Sequence, residues 1–272
     1  MGLLRSKKIK MILGRAAGIS GAYALNFRSK MTIVAFHRVN DHLPEDGLTC
    51  GADKFKAFCQ FFKRYFNVIP LSQQIAACRE GRTIGGSLSI TFDDGYLDNY
   101  EVAAPILRKL GLPATFFVTT GFIGSDVKAP WDAALPHSPR WMSWEQVRGL
   151  VRQGFEIGSH TDTHINMASA GLEVARAELA LSKRRILEEL GVTADLFAYP
   201  FGGREHISEA AIELVREAGY TCCMACHGGV NSSGADPFRL NRIGIAEWFD
   251  TPHQLGFEIV TNRTQLLPAG LS

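Results

Sequence analysis

Asp93 and Asp94 stand side by side at the end of an apolar run, residues 88–90, and just before Gly95. If that run is a strand, both carboxylates sit at its C-terminal mouth, where parallel βα folds collect their chemistry. Gly95 lets the chain turn sharply there, and neighbouring carboxylates ionise comfortably only beside a cation or a basic group. The plain alternative is an exposed Asp-Asp-Gly turn, a common loop sequence. A second cluster bears on that choice. His160 and His164, in the run Ser159-His160-Thr161-Asp162-Thr163-His164, follow another apolar strand end. Their i, i+4 spacing predicts two imidazoles on one side of a helical turn, as two ligands of one metal require. Two solvated loop histidines would explain the pair by itself. With a carboxylate from another strand mouth, a facial His, His, carboxylate site with open positions is the better account.

Clusters this far apart meet only if the elements between them bring strand ends together. From Met31 onward, short apolar runs alternate with amphipathic segments, the pattern of repeated βα units. Strands are predicted over 32–36, 87–91, 114–119, 155–158, 196–199 and 220–225. Phe55, Phe58, Cys59, Phe62 and Phe66 recur at helical spacing and predict a helix over 53–66 with an aromatic inner face. Further helices are expected over 99–110, stopped by Gly111 and Pro113, from the N-cap Ser143 to Gln153, over 173–190, closed by Gly191, and over 208–218. The Gly-, Pro- and Trp-rich stretch 121–141 reads as a long loop of the kind that covers a site. No internal repeat, low-complexity tract or linker interrupts this order, so the expectation is one α/β domain, a βα barrel.

The chain has 272 residues, 46% of them hydrophobic, enough for one sizeable core. A formal net charge of +2 implies no polyanionic partner, and no nucleic-acid motif is present. The basic residues are uneven, however: Arg5, Lys7, Lys8, Lys10, Arg15, Arg28 and Lys30 all precede the first acid, Asp41. Arg15 interrupts the apolar stretch that a signal peptide needs, and residues 12–27 are too short and too rich in Gly and Ala for a span. A short amphipathic helix remains, resting on the domain or on an anionic bilayer, with a plain solvated helix as the alternative. The expected division is a basic helical segment over 1–30, a catalytic domain over 31–260 and a tail over 261–272. The six cysteines, at 50, 59, 78, 222, 223 and 226, lack the spacing of a secreted disulfide scaffold, so reduced thiols and a cytoplasmic location, with peripheral membrane contact open to the N-terminus, are expected. Cys223 and Cys226, followed by His227, form a C-x-x-C-H that could suggest haem or zinc; without a second pair, and within a buried strand, it reads as core.

The motifs also carry a resemblance. TFDDG at 91–95, ATFFV at 114–118, SHTDTH at 159–164 and FAYPFG at 197–202 resemble, in order, the polysaccharide deacetylase (NodB-homology) family, carbohydrate esterase family four. The likeness covers roughly residues 31 to 245 and implies a distorted (β/α) barrel that hydrolyses the acetamido group of amino sugars with a divalent metal, Zn2+ first and Co2+ or Ni2+ as substitutes. It assigns Asp93 as general base and Asp94, His160 and His164 as metal ligands. Such an ion polarises the acetyl carbonyl and acidifies a bound water, whose proton the non-ligand carboxylate takes. The family also implies an oxyanion donor in the backbone N–H of Phe201.

Two departures stand out. Ala198 occupies the position where many members carry an Arg that orients the base, and the late Leu-x-His motif, whose His is often the general acid, is not evident. The form FAYPFG, with Phe36-His37-Arg38-Val39 early and Asp-Pro-Phe-Arg-Leu-Asn-Arg-Ile at 236–243, resembles the branch acting on poly-N-acetylglucosamine and other exopolysaccharides. That likeness brings forward His37 as the acid, against a structural histidine, with His227 as a rival. Arg242 becomes the candidate for the missing Arg, against a surface ion pair. The expected partner is an N-acetylated oligo- or polysaccharide, on whose rings Trp131, Trp141 and Trp144 could stack. An amidohydrolase acting on a small non-sugar amide and an inactive carbohydrate-binding relative are the alternatives; the intact Asp93, Asp94, His160, His164 set speaks against the latter.

Overall fold

A computed structural model of the chain describes residues 6–261, except for 83, 227 and 233. Two helices, α1 (Lys7–Ile19) and α2 (Ala22–Phe27), precede strand β1 (Thr32–Phe36), and a small parallel pair, β2 (Arg38–Val39) and β3 (Thr49–Cys50), follows it. Then come α3 (Ala52–Tyr65), β4 (Asn67–Val68), α4 (Leu71–Arg79), β5 (Ser87–Phe92), α5 (Ala104–Leu110), β6 (Thr115–Val118) and α6 (Trp144–Arg152). β7 (Glu156–Ser159), α7 (Leu172–Leu190), β8 (Leu196–Ala198), α8 (Glu209–Glu217), β9 (Cys222–Met224), β10 (Ile243–Gly244) and α9 (Pro252–Thr261) complete the order.

The main sheet runs β10-β1-β5-β6-β7-β8-β9, with β4 beside the start of β5, and every pairing in it is parallel. Such strands are covered on both faces, which is why β1 and β5 read as unbroken apolar or small-polar runs. The sheet curls until its edges approach. Met224 of β9 bridges Leu240, and Ile243, three residues later, pairs with Val34 of β1. Residues 240–244 therefore span the gap between the two edges, and the result is the distorted (β/α) barrel that the motifs implied.

Strand neighbours point to opposite faces and so build two cores. Val34, Phe36, Phe92, Phe116 and Phe197 face the outer helices, where Phe55, Phe58 and Phe62 of α3 meet them, as the helical spacing predicted. Ile33, Phe117, Leu196, Met224 and Leu240 face inward and pack with Leu71 and Ile75 of α4, which plugs the base of the barrel. Glu156 at the start of β7 accepts from the Leu71 and Ser72 amides and anchors the N-terminus of α4 there.

Several elements differ from the sequence reading. The helix expected over 99–110 starts as a π-turn, Asn99–Ala103, before α5, and this wider turn lets Asn99 Nδ2 donate to His37 O at 2.6 Å. Ser143 does cap α6, in a reciprocal capping box with Gln146. The strands β2, β3, β4 and β10 are too short to show an alternating pattern and had no counterpart in the sequence reading. α1 and α2 are docked: a Cβ at Gly14 would lie 1.9 Å from His253 O of α9, and the Tyr23 and Phe27 rings stack among Phe61, Phe66 and His253. Of the expected tail, residues 262–272 lie outside the described residues.

Candidate active site

Strand ends converge at one rim of the barrel. The pairing of Phe36 with Phe92 sets His37, the residue after β1, level with Asp93, and the pairing of Val118 with Ser159 sets His160 beside Thr119. β8 runs on through Tyr199 and Pro200 into Phe201. Asp94, Thr161, His164 and Phe201 have φ of 73°, 63°, 59° and 61°, and they are the only described non-glycine residues with positive φ. Left-handed backbone costs such residues about 1–3 kcal/mol each. All four belong to this rim.

His160 and His164 do not share a helical turn, contrary to the i, i+4 expectation. The chain bends after β7, and left-handed Thr161 and His164 bring the second imidazole back, so the two ring centroids are 5.0 Å apart. The bend is favoured because other groups satisfy its amides: Thr161 Oγ1 accepts from His164 N at 3.0 Å, and Glu178 of α7 accepts from the amides of Asp162 and Thr163, both at 2.8 Å.

Nε2 of His160 and of His164 lie 3.4 and 3.3 Å from Asp94 Oδ1. That oxygen is buried without a hydrogen-bond partner, an arrangement that normally costs stability. Ligand atoms held about 2.0–2.1 Å from a tetrahedral ion stand about 3.3–3.4 Å from one another, so the spacing suits a cation. His160 Nδ1 lies 2.8 Å from Ala198 O; donating there, it leaves Nε2 with its lone pair on the Asp94 side. Burial pushes the His164 imidazole below its usual pKa, towards the neutral form a ligand needs. Burial pushes the Asp94 carboxyl up, but the two imidazoles outweigh it and hold the group well below the usual range. Among the described residues, this is the one group of three His, Cys, Asp or Glu donors close enough to share an ion, and a carboxylate with two imidazoles fits a zinc-like cation.

Asp93 is engaged elsewhere. Arg242 meets it fork to fork, Nη1 to Oδ1 and Nη2 to Oδ2, both at 2.7 Å. The same guanidinium donates to Thr91 Oγ1 and to Ala225 O, each at 3.1 Å, and is completely buried. The surface ion pair considered as the alternative for Arg242 is thereby excluded. Burial works to raise the Asp93 pKa; the guanidinium overrides it and keeps the carboxyl below its usual value. His37 Nε2 lies 3.9 Å from Asp93 Oδ2, with its ring partly open to solvent.

Over this rim lies the loop after β6. Arg38, fully buried, donates to Thr49 Oγ1 at 2.8 Å, holds Asp46 at 2.7 Å and pairs with Asp132 in the loop. Tyr96 donates to Asp132 Oδ2 at 2.9 Å and accepts from Trp131 Nε1 at 2.8 Å. The Trp131 ring is thereby held 4.3 Å from the His164 ring, and with Phe122, Leu48 and Phe201 it lines a cavity of about 470 Å³. Trp141 and Trp144 do not share that place. Trp141 stacks on Tyr96 inside the loop, and Trp144 packs on the main core.

With this geometry in place, the comparisons with known proteins decide the family. The polysaccharide deacetylase family model matches residues 80–223, more than half of the chain. The chain belongs to the polysaccharide deacetylase family. YxkH of Bacillus subtilis (strain 168) is 23% identical over 220 residues, 80% of this chain and 72% of that protein. A poly-β-1,6-N-acetyl-D-glucosamine N-deacetylase of Staphylococcus epidermidis is 24% identical over 203 residues, 71% of this chain and 66% of that enzyme. IcaB from Ammonifex degensii, 22% identical, superposes with a TM-score of 0.73 over 85% of this chain and 97% of that one, which shows a shared fold.

In this deacetylase, Asp93, Asp94, His160, His164, His37 and Phe201 all come to one rim. Sequence reasoning assigned no part to Arg38, Asp132 and Tyr96; the only signal was Arg38 beside His37 in the early motif. His206, on the turn after Phe201, had no part in that reasoning either, and its ring lies 5.1 Å from that of Phe201. His227 lies outside the described residues. Cys223 Sγ contacts Phe238 O while Cys226 abuts Gly202 and Gly244, so the C-x-x-C thiols point apart, in keeping with a core reading.

Proposed function

We propose that this deacetylase removes acetyl groups from the N-acetylated amino sugars of an exopolysaccharide or cell-envelope polymer, with a divalent ion, Zn2+ first and Co2+ or Ni2+ as substitutes, on Asp94, His160 and His164. The staphylococcal relative, an enzyme of poly-β-1,6-N-acetyl-D-glucosamine by its name, supports the substrate class. The observation that carries the reading is the division of labour between adjacent carboxylates. Asp94 faces two imidazoles with an unsatisfied oxygen, while Asp93 is clamped by Arg242 and kept ionised.

Bound there, a divalent ion supplies polarisation of the acetyl carbonyl and acidification of water. Asp93 takes the proton of the attacking water; Arg242 fixes its orientation. Phe201, left-handed beside His164, offers its backbone N–H to the developing oxyanion. An amine anion leaves poorly, so a proton must reach nitrogen as the C–N bond breaks. Burial lowers the His37 pKa, and His37 therefore starts neutral and must first be charged. Asp93, at 3.9 Å and held acidic by Arg242, is a suitable source of that proton, and His37 then passes it to the amine.

Acetate release from β-1,4- and β-1,6-linked N-acetylglucosamine polymers and from a small non-sugar amide, each with and without chelator, tests the reading. Release from a polymer that stops with chelator and returns with Zn2+ is expected. Release from the small amide alone would overturn the substrate, and release indifferent to chelator would overturn the metal.

A further inference from the structure

The N-terminal pair of helices is docked on one side and unaccounted for on the other. Gly14 and Ala17 face the domain. The opposite face of α1 carries Lys8, Ile12, Arg15, Ala16 and Ile19, which recur at helical spacing and are all exposed. Ile12 is 60% exposed, Ile19 89% and, on α2, Leu25 73%. Of the eight exposed large hydrophobic side chains among the described residues, four lie between positions 12 and 25, so this face is apolar out of proportion to its size.

Its charge is equally one-sided. Lys7 and Lys10 pair with Asp250 and Glu258 and Lys30 donates to Ile259 O, so these three help to hold the helices on the domain. Lys8, Arg15 and Arg28 have no acidic partner among the described residues, and no acid occurs in the sequence before Asp41. Exposed apolar side chains interleaved with uncompensated cations are the composition of a helix lying in the interface of an anionic bilayer. A second copy of the chain fits less well, since a two-fold contact would set the same free cations against one another. The C-terminal stretch 262–272 contains Arg263 and no acid, so it does not supply the missing charge either. No helix among the described residues is long and apolar enough to cross a membrane, which leaves a surface-lying mode.

We propose that α1 and α2 seat this protein on an anionic lipid surface, with Ile12, Ile19 and Leu25 entering the headgroup boundary and Lys8, Arg15 and Arg28 facing the lipid anions. Lys7, at the start of α1, reaches Asp250 in the segment beyond the rim end of β10, and the chain from α2 enters β1 at the opposite end of the barrel. The helices thus run along the barrel flank, and a bilayer against them leaves the rim open.

The test is co-sedimentation of the full chain with vesicles of phosphatidylcholine alone and of phosphatidylcholine with phosphatidylglycerol in equal parts. Binding to the anionic vesicles only, weakened by salt, is expected. Each basic residue near an anionic surface strengthens binding about fivefold, so Lys8→Glu/Arg15→Glu should lose more than about 25-fold. Ile12→Glu/Ile19→Glu should also detach, with unchanged thermal melting in both variants showing that the fold is kept. Equal binding to both vesicles, no binding, or binding indifferent to the substitutions would overturn the proposal. So would a dimer in sedimentation velocity that Ile19→Glu dissociates.

Discussion

The base and the rim of this barrel are built from the same strands and have opposite chemistry. At the base, Ile33, Leu196, Met224 and Leu240 interlock with α4, an apolar contact of the sort that stabilises a fold outright. At the rim lie all four left-handed non-glycine residues found among the described residues, an unsatisfied buried Asp94 oxygen and a buried ion pair between Asp93 and Arg242. Each of these features costs stability by itself or at best breaks even. A fold keeps such features where geometry matters more than stability, and the chemistry proposed for this protein falls at that end. The base provides the stability that lets the rim remain strained.

Substitutions at the two ends should therefore separate turnover from stability. The largest expected loss of turnover follows His160→Ala or His164→Ala. Metal content should fall from about one ion per chain and acetate release should nearly vanish, read by elemental analysis on the assayed sample. Next comes His37→Gln, which should keep metal and fold but lose about a hundredfold or more on an N-acetyl substrate, and much less on an activated acetate ester whose leaving group needs no proton. Equal losses on both substrates would reduce His37 to a positioning group.

Arg242→Gln sharpens the comparison through pH. The guanidinium holds the Asp93 pKa below its usual value against burial, so without it burial dominates and the acid limb of kcat/KM should move to higher pH. The pair's contribution to stability is full above the unfolded carboxylate pKa of about 3.9 and disappears as pH falls through the lower folded value. The variant should thus be destabilised by about 3–5 kcal/mol near neutral pH, with a gap to wild type that narrows in acid. An unmoved acid limb would separate Arg242 from the base. The smallest effect on turnover belongs to Ile75→Ala, on α4 at the base: about 2–5 kcal/mol of stability lost in denaturant melts, with turnover per folded molecule unchanged.

The legibility of these two ends in the sequence differed as well. Asp93, Asp94 and His160 could be placed because each follows an apolar run directly, and the end of a buried parallel strand is a defined position in space. The Phe stripe of α3 and the cap at Ser143 were readable for the same local reason. Arg242 was readable only as one of two options, because its burial depends on residues 240–244 closing the gap between distant sheet edges, and β10 is too short to announce itself. The pair of Arg38 with Asp132 joins positions 94 residues apart and left no pattern in either segment. The i, i+4 spacing of His160 and His164 pointed to the right neighbours through the wrong geometry. Spacing constrains which side chains meet; the hydrogen bonds from Thr161 and Glu178 determine how.

The central claim is that Asp93, clamped by Arg242, is the base beside a metal held by Asp94, His160 and His164. It is tested most directly by measuring metal content and acetate release on the same preparation of Asp93→Asn. The account predicts about one bound ion per chain and a fall in release of about a hundredfold or more. Near-normal release from the metal-loaded variant would contradict it and place the base elsewhere.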